Sequence, residues 1–433
     1  MPASCASISP RRSTRQPCSA RRRRASAWPP RRSARPDSVP DSVPDSGGLA
    51  GPLPRFADLT TMRVGGLPAR LLSPATEQEL VDAALTTWGS GDEWMLLGGG
   101  SNTVVSDDGF DGTVIRVLTR GVTVLEPGVG NAVAADRVRL RVQAGESWDD
   151  LVAHTVARGW SGLEALSGIP GSTGAAPVQN IGAYGQELSD SLVAIDFLDY
   201  ETGIRHRIEA AELELGYRTS ALKQGRRGLV LVVELELHDT QAEASVLGSA
   251  LSQPVAYPQL AGALGVQVGD RVPLGVLRAS VLALRGAKGM VLDAGDPDTN
   301  SAGSFFTNPI VSLAFSRTMP DAAPRWPLSD PELPDRVIPL DEYYGVGPIE
   351  DATPVRLVKL SAAWLIENSG ISRGFRLPGS RAAISSKHTL ALTNTGGATA
   401  DEIGQLARFV QGRVQSEFGV ILQPEPMLVG LSL

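Results

Sequence analysis

The chain reads as an α+β protein, and the order of its first strands and helices is also open to a βαβ arrangement. Three observations carry this reading. A short apolar run, Trp94 to Leu97, passes straight into Gly98-Gly99-Gly100-Ser101-Asn102, as a buried strand does on entering a tight connection. Arg137 to Val142 alternates arginine with apolar residues at period two, as a half-exposed strand does. Thr76 followed by Glu79 is a capping box, and Thr399 opens a helix that puts Ile403, Leu406, Val410, Val414 and Phe418 on one face.

In chain order, residues 1–54 combine arginine, serine and proline with the repeat DSVPDSVPDS and lack hydrophobic periodicity, the composition of a disordered tail. No apolar segment there suits a secretion signal. Folded text begins at Arg55. The Thr76 box starts a helix through Leu80, Ala84 and Leu85, Gly112 to Leu118 is a further strand, and Ser147 caps a second helix that stops at Gly159. Strands follow at Leu192 to Tyr200 and Leu229 to Leu237, and Val272 to Leu284 is apolar at helical spacing. A Pro-rich region at 317–340 reads as an inserted loop. Short strands are expected at Val420 to Leu422 and Met427 to Val429, on either side of Pro424-Glu425-Pro426.

The 433 residues suffice for two or three domains. Residues 1–50 carry ten Arg and three Asp, so the net charge of -7 leaves -14 on the remainder, which offers no basic face for nucleic acid. Both cysteines, Cys5 and Cys18, lie in the Arg-rich head, so disulfides and thiolate metal sites are excluded from the rest. His154, His206, His238 and His388 have no metal-ligand spacing, and no metal is expected.

Between Ala165 and Gln186 no residue is charged, while five glycines and two prolines prevent a long helix. Such backbone needs hydrogen-bond partners, which a ligand rich in acceptor oxygens can supply. The GGGSN turn could be a bare connection or a nest of amides for phosphate; beside the Gly-rich 168–174 loop, a pyrophosphate clamp is the better account. Neither GxGxxG nor GxxxxGK[ST] is present. Arg218, in Gly216-Tyr217-Arg218-Thr219-Ser220, is either a surface ion-pair partner or a bidentate ligand for an anion. Ser304, in the tight turn expected at 303–309, is either a capping hydroxyl or a proton donor in a dry pocket, with no triad beside it in sequence. Glu425, boxed by prolines, is a turn residue or a rigidly held carboxylate.

Seven segments together resemble the UDP-N-acetylenolpyruvoylglucosamine reductase family, over about Phe56 to Leu431: LGGGSN (97–102), SGIPGSTGAAPVQNIGAYGQEL (167–188), GYRTSALK (216–223), AGSFFTNP (302–309), AAWLIENSG (362–370), LTNTGGATADEI (392–403) and LQPEP (422–426). The resemblance implies a two-lobed FAD-binding domain of the vanillyl-alcohol-oxidase type over 55–240, a connecting segment with a mobile loop over 241–300, a substrate domain over 301–419 and a returning strand over 420–433. It implies that NADPH reduces FAD and leaves, that hydride then reaches the methylene carbon of UDP-N-acetylglucosamine enolpyruvate, and that a proton is added at the neighbouring carbon. Arg218 and Glu425 would hold the substrate carboxylate and its developing charge, and Ser304 would donate the proton.

By the same resemblance, Gly98, Gly99, Gly100, Ser101, Asn102, Ile169, Pro170, Gly171, Gly174, Asn180 and Tyr184 would bind the cofactor. Ile169 to Gly174 would hold FAD, while Gln179 to Tyr184 would lie where flavin and substrate meet. Tyr257, Arg285, Lys288 and Asn308 would bind substrate. Thr307 and Pro426 depart from the family pattern. The expected partners are small molecules, with neither nucleic acid nor membrane, for a cytoplasmic monomer. Two rivals remain: another flavin oxidoreductase of the same superfamily, which would leave GSFFTNP and the distant Glu425 unexplained, and a non-catalytic flavin-binding protein, which would need no proton donor.

Overall fold

The computed structural model describes residues 52–126, 134–328 and 356–433. The tail reading for 1–54 falls almost wholly outside them, as does the 329–340 part of the loop reading.

The first lobe is a small parallel sheet in which Phe110–Arg116 lies between Pro68–Leu72 and Trp94–Leu97. Helix Glu77–Ser90 opens with the expected box: the Thr76 side chain accepts from the Glu79 N–H, and the Glu79 carboxylate accepts from the Thr76 N–H. Beneath the sheet, Phe56, Met95, Leu97, Val105 and Val114 form a separate core.

The second lobe is an antiparallel sheet in the order Arg205–Glu209, Leu192–Asp199, Gly228–Asp239, Arg137–Gln143, Val122–Leu125, with Trp160–Ser161 on the far end of Gly228–Asp239. Period-two alternation is realised here. Val138, Leu140 and Val142 are buried, while the arginines between them take carboxylates on the other face, Arg139 with Glu236 and Arg141 with Asp196. Helix Trp148–Ala157, capped by Ser147, covers the apolar side with Trp148, Leu151 and Val152.

The C-terminal part has two small antiparallel sheets, Ile310–Ser312 with Leu357–Leu360 and Arg325–Pro327, and Ala382–Ile384 with Leu392–Asn394. They pack on Ala362–Asn368 and Ala400–Phe418, whose Ile403, Leu406, Val410 and Val414 are buried as the stripe required. Within the supposed loop at 317–340, Arg325–Pro327 is in fact a strand, because Leu357–Leu360 offers it an open edge. Val420 to Leu422 is not a strand. Its Val420 and Leu422 are buried, but the Leu422 carbonyl accepts from the Gln411 side chain rather than from a neighbouring strand. The last strand, Met427–Val429, pairs in parallel with Thr103–Val105, directly after GGGSN. Among the described residues no helix is long and apolar enough to cross a membrane.

Candidate active site

The strand Trp94–Leu97 delivers Gly98 to Asn102 against the second glycine loop. The Ser101 hydroxyl donates to the Pro170 carbonyl at 2.9 Å. The loops meet closely: a Cβ on Gly99 would lie 2.7 Å from the Gly171 Cα, and one on Gly98 2.3 Å from the Ser172 Oγ. Among the described residues, none of the N–H groups from Gly98 to Asn102 enters a turn or loop hydrogen bond, so they remain free for acceptor oxygens. A pyrophosphate group such as that of FAD fits this donor set. Gly174 has a different task. Its N–H is spent on the Ala144 carbonyl at 2.7 Å, and a Cβ there would meet the Ala144 Cβ at 2.5 Å.

Beyond this junction the chain's ends converge. The Arg218 Nε lies 3.3 Å from Glu425 Oε1, and its terminal nitrogens donate to the carbonyls of Asn180 at 3.3 Å and Gly182 at 2.8 Å. The Gln179 amide donates to the same Glu425 oxygen at 3.2 Å and accepts from Asn102 at 3.2 Å, tying the glycine turn to the carboxylate. Burial lifts the Glu425 carboxyl above its usual range, against the pull of Arg218, Lys223 and the Gln179 hydrogen bond.

Ser304 to Thr307 is not the closed turn expected of it. Phe306 bridges to Pro424, the Glu425 N–H donates to the Phe305 carbonyl at 2.9 Å, and both phenyl rings are buried. Burial of those rings holds the segment against Gln423 to Glu425. Asn180, Tyr184 and Arg218 have φ of 46°, 50° and 53°, three of the five non-glycine residues in the left-handed region among those described, and all three belong here.

A second cationic group adjoins the first. Arg285 is buried, donates to the Met290 carbonyl at 3.0 Å and leaves its Nε without a partner. Lys288 Nζ lies 5.7 Å from the centroid of the Tyr184 ring, which meets Tyr257 edge-on at 5.7 Å. Burial, then Arg285, lowers the Lys288 pKa, and burial raises that of Tyr184. His388 adjoins them, held down to about 4 by burial and by the cations Lys288, Arg373 and Arg285.

Residues 296–429 match the family description "UDP-N-acetylenolpyruvoylglucosamine reductase, C-terminal domain", and residues 68–209 match "FAD binding domain". A UDP-N-acetylenolpyruvoylglucosamine reductase of Leifsonia xyli subsp. xyli is 60% identical over 384 residues, covering 88% of this chain and 99% of the relative. The chain belongs to the UDP-N-acetylenolpyruvoylglucosamine reductase family. The reductase of Salinispora arenicola is 45% identical over 381 residues, covering 86% of this chain and 94% of its own. The crystal structure of the Thermus caldophilus reductase superposes with a TM-score of 0.52 at 25% identity, over 87% of this chain and 97% of that one. The fold is accordingly a two-lobed FAD-binding domain followed by a C-terminal α+β domain.

Of the residues the family resemblance singles out, Arg218, Glu425 and the Ser304 segment come together, and so do Tyr184, Tyr257, Arg285 and Lys288. Tyr184, expected at the cofactor, thus stands with the residues expected at the substrate. Asn180 reaches Arg218 by its carbonyl alone, since its side chain is spent on Glu187, Ser189 and Gly216. Asn308 accepts from the Ala362 N–H at 2.9 Å and faces the Tyr217 phenol. Reading for function in the sequence passes over Gln179, Tyr217 and Lys359 as individual residues, and weighs His388 only as a metal ligand. The first two lie inside motifs already marked; the other two are recognisable only by what they face in space.

Proposed function

We propose that this chain reduces UDP-N-acetylglucosamine enolpyruvate to UDP-N-acetylmuramate for peptidoglycan synthesis, with FAD as cofactor and NADPH as reductant. The observation that carries this reading is the Arg218–Glu425 pair beside the Ser304 segment, in a chain of this family. When bound, FAD supplies a hydride acceptor and donor.

The chain's own residues supply the rest. Hydride addition to an enol ether conjugated to a carboxylate drives negative charge onto that carboxylate, which preorganised cations stabilise most effectively. Arg218 offers a planar fork for it, aimed by the Asn180 and Gly182 carbonyls. Glu425 binds a proton more readily than an ordinary carboxyl, so it can hydrogen-bond the substrate carboxylate without opposing it. The Ser304 hydroxyl donates the proton to the adjacent carbon, and Arg285, Lys288, Tyr257 and Asn308 hold the sugar nucleotide. In this reading the amides of Gly98 to Asn102 and of Ile169 to Gly171 cradle the cofactor pyrophosphate.

The division into flavin lobes over 55–240, a substrate domain over 301–419 and a returning strand over 420–433 belongs to the proposal, as do a cytoplasmic setting and action as a monomer. In the test, purified protein should be yellow and should oxidise NADPH only when UDP-N-acetylglucosamine enolpyruvate is added. Colourless protein that cannot take up FAD would refute the reading, and turnover with NADH alone would refute the choice of nicotinamide.

A further inference from the structure

A cation beside Tyr217 has no part in the roles above. Lys359 lies on the strand Leu357–Leu360, opposite Ile310, and that strand is tied to the Ser304 segment by the Leu360 N–H donating to the Pro309 carbonyl at 2.9 Å. Its Nζ lies 4.7 Å from the centroid of the Tyr217 ring, and the Arg218 Cζ lies 5.6 Å from the same centroid. The phenol of Tyr217 faces Asn308, with the Glu425 carboxylate near enough to act on it.

Lys359 is partly buried, and among the described residues no carboxylate pairs with it. Other partly buried cations of this molecule do have one: Arg278 meets Asp149 at 2.7 Å, and Arg139 meets Glu236 at 2.5 Å. A partly desolvated ammonium resting on an aromatic face alone is incompletely compensated, and an anionic ligand would complete it.

We propose that Lys359 is a substrate-binding residue whose ammonium, together with the Arg218 guanidinium beside the Tyr217 ring, receives the carboxylate of the enolpyruvyl group. The inference rests on the proposed function. The substrate has two anionic parts, a carboxylate at the reacting end and a diphosphate away from it. The site has two cationic groups, Arg218 with Lys359 around Tyr217, and Arg285 with Lys288 around Tyr184. Only the first adjoins Glu425 and the Ser304 segment, so it takes the carboxylate. Tyr217 is then a positioning residue that keeps the two cations against one surface.

The test is ligand titration of the FAD-loaded holoenzyme, followed through the flavin absorbance, for wild type, K359M and K359R. Two ligands are compared, UDP-N-acetylglucosamine enolpyruvate and UDP-N-acetylglucosamine, which shares the diphosphate and lacks the carboxylate. K359M should weaken binding of the enolpyruvyl ligand by about tenfold to a hundredfold, leave the carboxylate-free ligand unchanged, and be largely rescued in K359R. Equal weakening of both ligands would assign the lysine to the diphosphate or to the fold, and no weakening of either would remove it from the site; each result overturns the inference. Wild-type protein that cannot reduce the enolpyruvyl compound would overturn the proposed function itself, which is distinguishable from normal wild-type turnover with an indifferent K359M.

Discussion

Arg218 and Glu425, drawn from distant parts of the folded chain, stand 3.3 Å apart because two strand contacts carry the C-terminal segment back to the flavin lobe: Met427–Val429 beside Thr103–Val105, and Pro424 beside Phe306. In the proposed function the pair serves the reaction rather than stability. Burial raises the Glu425 pKa despite the guanidinium, so the folded state binds this proton more tightly than the unfolded chain does. Its contribution to stability is therefore lost as pH rises from the ordinary carboxylate range through the raised value. Glu425→Gln should melt at or above the wild-type temperature near neutral pH, since Arg218 keeps its two backbone carbonyls, and the advantage should vanish in acid. Turnover of the enolpyruvyl substrate should fall by about 10²-fold or more. A lower melting temperature at neutral pH would contradict this account.

Ser304→Ala separates proton donation from cofactor chemistry. Flavin reduction by NADPH should proceed at the wild-type rate in stopped flow, while reoxidation by the enolpyruvyl substrate slows by roughly 10²-fold. Equal slowing of both phases would make Ser304 structural.

Gly99→Ala probes the contact between the two glycine loops. The added Cβ would lie 2.7 Å from the Gly171 Cα, backbone that cannot swing aside, so a loss of about 1–3 kcal/mol in stability is expected. FAD should also be retained less well on gel filtration. Gly275→Ala, on the helix Leu274–Gly286 where a Cβ meets nothing within 4 Å, is the control and should stabilise by about 0.5–1 kcal/mol.

His388 makes the fold sensitive to mild acid. Its pKa is held at about 4 by burial and by Lys288, Arg373 and Arg285, with only Glu367 opposing. Because the unfolded histidine takes up its proton first, the stability it contributes is full above the ordinary histidine pKa and is lost as pH falls toward the depressed value. His388→Asn should flatten the dependence of melting temperature on pH across that window. An unchanged slope would count against it.

Much of this was legible in the residues alone. Period-two alternation at Arg137 to Val142 and the Thr76 and Ser147 caps report local backbone preferences, which neighbours in sequence set, and the fold kept them. Lost from that reading were Thr103–Val105, too short to carry a pattern, and the nature of Val420 to Leu422, where the Gln411 side chain and not a strand satisfies the backbone. The candidate site was legible as separate motifs, each with an innocent alternative of its own.

Arg218, Ser304 and Glu425 are written in the sequence as residue types in unusual settings, a chemistry that composition and motif can specify. Which of them touch, that Gln179 links the glycine turn to Glu425, and that Lys359 lies against Tyr217 are decided by tertiary structure alone. Long-range strand pairing and burial select those contacts, and both depend on residues far apart in the chain, so no local window of sequence contains them.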